Sequence, residues 1–254
     1  MPKISLLLLT KNEQDNLKKW GNWIHELSCI NEIVVIDDES TDDTIKILKS
    51  LSTDKLSVNI FKRKLNDNFS SQRNFGLSKC HNDWVIFLDA DEIPTPKTIT
   101  YLNKVSPKNG YNYSFKRDII YLNHPITHGQ CLHDKPIKLF NKNEGKFVNP
   151  VHEIWQSSAT TIYSQQIIHH YSIKNLNSFL EKINLYSAIR AKELFDQKDT
   201  ANLWQIIFYP KFKFIDLYFL KLGFLDGVAG LILSLCLSFN SFLIRSKLWH
   251  LSQK

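Results

Sequence analysis

The apolar run Trp84-Val85-Ile86-Phe87-Leu88 is followed at once by Asp89, Asp91 and Glu92, three carboxylates within four positions. Carboxylates gathered at one strand end repel one another and resist desolvation, so water, hydrogen-bond donors or a cation must compensate them. A hard divalent cation, bound partly by protein oxygens and partly by phosphate, would do so. With one residue between them, Asp89 and Asp91 can direct oxygens towards a common site as the strand gives way to a turn. For an isolated D-x-D pair, a solvated strand end with a helix cap is the plain alternative.

The elements that would position this group follow a regular rhythm. ISLLLLT, at residues 4–10, is a continuous apolar run of the kind that suits a strand covered on both faces. Leu17, Trp20, Ile24 and Leu27 recur at three- and four-residue spacings, which predicts a helix over residues 13–27. EIVVIDD then reads as a second strand, and Ser40 or Thr41 is placed to cap a helix over DDTIKILKSL. VNIFKR, SSQRNFGLSKC and WVIFLDAD continue the alternation as strand, helix and strand. Such alternation predicts an α/β fold with a mostly parallel sheet flanked by helices, in which ligands bind outside the carboxyl ends of the strands. Here those ends are residues 10–13, 37–38 and 89–92. No G-x-G-x-x-G follows the first strand, which argues against a nicotinamide or flavin enzyme.

A chain of 254 residues fits one large α/β domain or a domain with an appendage. The formal net charge of +7, spread along the chain, favours anionic partners such as phosphorylated substrates or acidic lipid and argues against a nucleic-acid arm. Cys29, Cys80, Cys131 and Cys236 lie far apart with no Cys-x-x-Cys pair, so neither a zinc site nor a disulfide framework is expected, and a reducing cytosol suits them. The first apolar stretch is too short for a signal-peptide core.

The texture changes late in the chain. Leu176, Phe179, Leu180, Ile183, Leu185 and Tyr186 predict an amphipathic helix continuing towards Phe195. Residues 203–224 then mix Trp, Tyr and Phe with lysines, the composition of a segment at a lipid interface. Residues 227–244 carry no charge over 18 positions, the lower limit for a spanning helix. Gly230, Ser234, Ser238, Ser241 and Arg245 give that helix a small, polar face, which favours lying on or shallowly in a membrane. Lys211, Lys213 and Lys221 before it, with Arg245 and Lys247 after it, would add attraction to anionic lipid. A buried helical pair or a dimer interface is the alternative.

Four motifs in order, TKNE, VVIDDESTDDT, SSQRNFGL and FLDADE, resemble those of the inverting glycosyltransferases of family 2, which have a GT-A fold and use nucleotide-sugar donors. The later segments KPIKLFNKNEGKFVNPVHE and HHYSIKNLNSFLEKINLYSAIRA, with the apolar tail, look most like small bacterial enzymes that add a sugar, often glucose, to the lipopolysaccharide core. The resemblance implies a Rossmann-like GT-A domain over residues 1–200. Residues 1–100 would be its nucleotide-sugar and metal-binding half and residues 101–200 its acceptor and catalytic half, with a membrane-proximal helical tail over residues 201–254.

Carried over residue by residue, the resemblance puts Thr10 and Glu13 at the uridine pocket, Asp38 at the uracil ring nitrogen and Asp37 in support. Arg73 would lie near the base and diphosphate. Asp91 would bind Mg²⁺ or Mn²⁺ directly, while Asp89 would contact the metal, its water or the ribose. Lys138 stands where relatives commonly have Arg, as a diphosphate contact. Among Asp118, Asp134, Glu144 and Glu153, the resemblance favours Glu153 as the base that deprotonates the acceptor, with Asp134 in reserve. His152 beside it is a ligand or acceptor contact, or simply hydrogen-bonded in the fold. Of His169 and His170, opposite faces of a strand allow one to approach the diphosphate or metal.

The resulting expectation is a metal-dependent inverting hexosyltransferase on the cytoplasmic face of the inner membrane. A UDP-sugar would be the donor and a lipid-linked saccharide such as the lipopolysaccharide core the acceptor, with an anionic membrane surface and no nucleic acid among its partners. A homodimer stays open. A sugar nucleotidyltransferase is one rival, although LLTKNEQDN lacks the glycine-rich loop such enzymes carry; a non-catalytic membrane adaptor is the other.

Overall fold

The computed structural model describes residues 2–21, 23–66, 68–121, 124–131, 135–149, 153–171, 173 and 175–253. The chain forms two compact units, Met1–Arg117 with Lys135–His170, and Asp118–Asp134 with Tyr171–Lys254.

In the first unit, β1 (Ile4–Thr10) leads through the short helices α1 (Gln14–Leu17) and α2 (Trp23–Glu26) to β2 (Ile30–Asp37). Next come α3 (Thr44–Ser50), β3 (Ser57–Lys62), α4 (Phe69–Lys79), β4 (Trp84–Phe87), β5 (Glu92–Pro94) and α5 (Pro96–Lys104). β6 (Tyr111–Tyr121) runs on into the second unit, where its last residues pair with β7 (His124–Ile126). The first unit closes with β8 (Ile137–Asn141), the ribbon β9 (Gly145–Val148) and β10 (Ile154–Ser157), and β11 (Thr160–His170).

Among the described residues the main sheet runs β3-β2-β1-β4-β8-β6-β11-β5. The first four strands are parallel neighbours, whereas β8 is antiparallel to β4 and to β6, and β11 to β5. The expected parallel character therefore belongs to the first four strands, and the sheet as a whole is mixed. Alternate side chains explain the unbroken apolar runs. Leu6, Leu8, Ile33 and Val35 enter one buried cluster with Trp20 and Ile24, while Leu7, Val34, Ile36 and Phe87 enter another on the opposite face. Gly76 lets α4 lie close to β1, since a Cβ there would strike the Leu7 side chain.

Two local expectations are corrected. The helix over residues 13–27 is broken into α1 and α2 around Gly21, whose φ of +46° is left-handed, yet Leu17, Trp20, Ile24 and Leu27 still reach the core. Neither Ser40 nor Thr41 caps α3. Ser40 is spent on Asp37, and the Asp42 carboxylate accepts from the Thr44 amide at 3.0 Å.

The second unit contains α6 (Leu176–Asp196), α7 (Leu203–Ile215) and α8 (Gly227–Ser252), with a π-helical turn at Asp216–Leu220 and a 3-10 turn at Gly223–Asp226. α8 packs against both α6 and α7. α6 buries Ile183, Ala191 and Leu194 and belongs to the same compact unit as the tail helices. A capping box starts α7: the Gln205 amide donates to the Asn202 side chain at 3.0 Å and the Asn202 amide to Gln205 Oε1 at 3.2 Å. The small face of α8 points into this packing. Gly230 and Ser234 are buried, and Ser238 Oγ donates to the Pro210 carbonyl at 2.6 Å.

Candidate active site

Thr10 and Asp37 are register partners at the ends of β1 and β2, and just beyond β4 the Leu88 amide donates to Leu7 O at 3.2 Å. The three loops singled out in the sequence therefore leave one edge of the parallel strands.

Along that edge, Asp37 is fully buried and accepts from Ser40 Oγ at 2.5 Å and from the Ser40 amide at 3.1 Å, so it shapes the turn. Asp38 accepts from Lys11 Nζ at 2.7 Å and from the Leu65 amide at 3.0 Å. Burial favours its neutral form, but the Lys11 ammonium and the Leu65 amide hold it below the usual carboxylate range. Glu13 accepts from the Asn16 side chain at 2.7 Å. Thr10 Oγ1 is buried with no hydrogen-bond partner among the described residues.

Next to it lies a denser group of charges. Lys138, on β8 and only 3% exposed, donates to Glu92 at 2.5 Å and lies 3.5 Å from Asp89. Fully buried Glu92 also pairs with Arg117 at 3.3 Å and accepts from the Asp89 amide at 3.0 Å, which ties the turn back on itself. Arg73, on α4, pairs with Glu153 and lies 3.9 Å from Asp89, its guanidinium 3.9 Å from the Phe87 ring centre. Burial raises the cost of charge on Asp89, yet Lys138, Arg73, His170 and Arg117 together hold its carboxyl down at about 2. Asp91 pairs with His170 Nε2 at 3.2 Å. Burial lowers the proton affinity of His170, but the hydrogen bond and charge of Asp91, with Glu92, outweigh it and raise its pKa.

The elements explain this convergence. Asn74 on α4 exchanges two hydrogen bonds with the Phe147 backbone, at 2.8 and 2.9 Å, and so docks the β9–β10 ribbon that carries Glu153 to Arg73. Trp155 stacks on Phe140 at 4.0 Å beneath it. His170 is the register partner of Glu92, which sets it beside Asp91.

Residues 5–168 match the family model described as Glycosyl transferase family 2. The chain belongs to glycosyltransferase family 2. A glycosyltransferase of Rickettsia typhi, itself uncharacterized, is 30% identical over 268 residues, covering 100% of this chain and 89% of that protein. The glycosyltransferase SunS, encoded by the SPbeta prophage of Bacillus subtilis, is 29% identical over 54% of this chain and 35% of its own. Among solved structures, GalNAc-T7 with UDP, GalNAc and Mn²⁺ aligns with a TM-score of 0.48 at 12% identity over 84% of this chain, which spans 51% of that one.

In this glycosyltransferase the structure brings Arg73, Asp89, Lys138 and Glu153 into one linked group, pairs Asp91 with His170, and sets Thr10, Glu13, Asp37 and Asp38 along the same sheet edge. Asp134 and His152 lie outside the described residues. The sequence reading missed three contributors: Lys11 beside Asp38, Arg117 beside Glu92, and Trp20, whose indole donates to the Ala90 carbonyl at 2.9 Å between the two aspartates. Lys11 stands inside TKNE and could have been weighed as a partner for a carboxylate.

No group of three metal-ligating side chains occurs among the described residues. Asp89 and Asp91 supply hard oxygen donors, and Asp89 is ionised and 34% exposed. That set fits Mg²⁺ or Mn²⁺ of the kind that takes one or two carboxylates from the protein and its other oxygens from water and substrate phosphate.

Proposed function

We propose that the chain is an inverting, metal-dependent hexosyltransferase that moves a sugar, glucose or a close relative, from a UDP-sugar to a lipid-linked saccharide such as the lipopolysaccharide core. The observation that carries this reading is the linked group Arg73–Asp89–Lys138–Glu153, in which cations able to meet a diphosphate adjoin a carboxylate able to take a proton. Thr10, Glu13, Asp37 and Asp38 would hold the nucleoside. Arg73 and Lys138 would face the diphosphate, and Asp89 and Asp91 would hold Mg²⁺ or Mn²⁺, which supplies Lewis-acid neutralisation of leaving-group charge. Glu153 would remove the acceptor hydroxyl proton as the acceptor oxygen bonds to the anomeric carbon. The carbon–oxygen bond to UDP breaks on the opposite face, and UDP leaves with the electron pair.

The setting we propose is the cytoplasmic face of the inner membrane. Gly223–Ser252 is long and apolar enough to cross a membrane by length and composition, its most apolar 18-residue stretch having a mean hydropathy of 2.0. α7 has no fully buried residue and exposes Leu203, Trp204 and Phe212 among lysines, which supports a helix lying at the lipid surface. Family membership favours sugar transfer over nucleotidyl transfer, and the adaptor reading is tested directly. Purified protein with Mg²⁺ or Mn²⁺ should show a raised thermal midpoint with one UDP-sugar and should release UDP from it. A panel of nucleotide sugars that neither bind nor turn over would overturn the proposal.

A further inference from the structure

The second unit carries an open cavity of about 210 Å³ whose lining includes Arg190 of α6, Lys213 of α7, and Leu237, Asn240, Ser241 and Arg245 of α8. At roughly 30 Å³ per liquid water this is room for several waters or one phosphate group with its ester carbons. Three cationic side chains from three helices around one space call for an anion. Two of them are partly compensated: Arg190 pairs with Glu193 at 2.8 Å, while Arg245 reaches Asp199 only at 3.8 Å and lies 4.7 Å over the Tyr209 ring. Lys213 has no carboxylate partner among the described residues. Asn240 Oδ1 is buried and has no hydrogen-bond partner among them, so the cavity wants a donor as well as an anion.

We infer that this cavity binds the hydroxylated phosphate headgroup of an anionic lipid. A phosphodiester would meet Lys213, Arg190 and Arg245 through charge-assisted hydrogen bonds, and a glycerol hydroxyl would serve Asn240. The lipid source is argued from the same helices, which expose Trp204 and Phe212 on α7 and Phe239 and Phe242 on α8 to acyl chains. The inference rests on the membrane-surface reading above and names the headgroup site within it.

The test is binding of the full chain to phosphatidylcholine vesicles with and without phosphatidylglycerol. Lys213→Gln should weaken binding to the anionic vesicles by about tenfold to a hundredfold, the scale of a hydrogen bond to a charged group, while Lys213→Arg should keep it. Lys211→Gln removes the same charge from the same helix outside the cavity lining and should cost no more than about fivefold, the worth of one lysine near an anionic leaflet. Equal losses for Lys213→Gln and Lys211→Gln would overturn the cavity and leave the membrane reading standing. A wild type that ignores anionic vesicles altogether would overturn both. Glycerol phosphate binding in solution as tightly as the vesicle lipid would overturn the lipid source.

Discussion

The Arg73 guanidinium is ion-paired to the Glu153 carboxylate while lying 3.9 Å from Asp89. A carboxylate held by a guanidinium is not free to turn to another partner, and a guanidinium held by a carboxylate is only partly available to phosphate. A donor diphosphate competing for Arg73 would loosen both restraints together, so donor binding would free the carboxylate proposed above as the base.

Glu153→Gln should therefore cut turnover by about a hundredfold or more, the usual scale for losing a general base. Donor affinity should hold or rise, because Arg73 then has no Glu153 carboxylate to leave. Steady-state turnover and donor titration for this variant beside Asp134→Asn decide the role. Near-normal turnover in Glu153→Gln, with loss only in Asp134→Asn, transfers the base to Asp134.

The Asp91–His170 pair yields a graded prediction. Asp91→Asn should nearly abolish transfer, and excess chelator should silence the wild type. His170→Ala removes only the partner of Asp91, so, with Asp91 as the proposed ligand, the Mn²⁺ concentration for half-maximal activity should rise by about 10–100-fold. Undiminished activity in chelator would remove the metal from the mechanism.

How much of this was legible in the sequence depends on range. β1, β2 and β4 could be read because strands covered on both faces must be apolar throughout, and the D-x-D group because charge at such a strand end is costly. Arg73 and Glu153, 80 positions apart in sequence, meet only because α4 docks the β9–β10 ribbon through Asn74. Trp20 finds Ala90 only through the fold of the broken helical segment. In α8 the line of small and polar residues was visible, but pattern alone could not say that Gly230, Ser234 and Ser238 meet protein and not headgroups. A helical stripe reports a face, and the partner of that face is a tertiary fact.

Glu32 predicts an acid-dependent part of stability. It is buried on β2 and accepts from Ser5 Oγ, from the His81 ring at 2.6 Å and from the His81 amide at 2.7 Å. Burial opposes its charge, but these donors and the Asn82 amide hold its pKa below the usual value. A carboxylate depressed on folding contributes stability above its unfolded pKa of about 4.3, and that contribution fades as pH falls through the folded value. Glu32→Gln should cost about 1.5–3 kcal/mol at neutral pH, the scale of hydrogen bonds to a charged group. The gap to wild type should shrink in urea melts at acid pH. A gap that stays constant would mean that charge is not what Glu32 contributes.

Gly230 sets two effects of opposite sign against each other. In a helix interior Ala is favoured over Gly by about 1 kcal/mol, so propensity alone makes Gly230→Ala stabilising. In this fold, however, a Cβ at Gly230 would collide with the Gly223 carbonyl and come within 3.0 Å of Asp226 Cβ. The obstacle is backbone, held in a turn whose Leu222 already has a left-handed φ of 58°, so it cannot swing aside as a flexible side chain would. Overpacking of this kind costs about 1–3 kcal/mol, which exceeds the propensity gain over most of that range. Gly230→Ala should thus destabilise the second unit by up to about 2 kcal/mol, read as faster hydrogen exchange along α8. Donor binding by the first unit should be unchanged. Slower exchange in α8 would show that the turn yields and that propensity prevails.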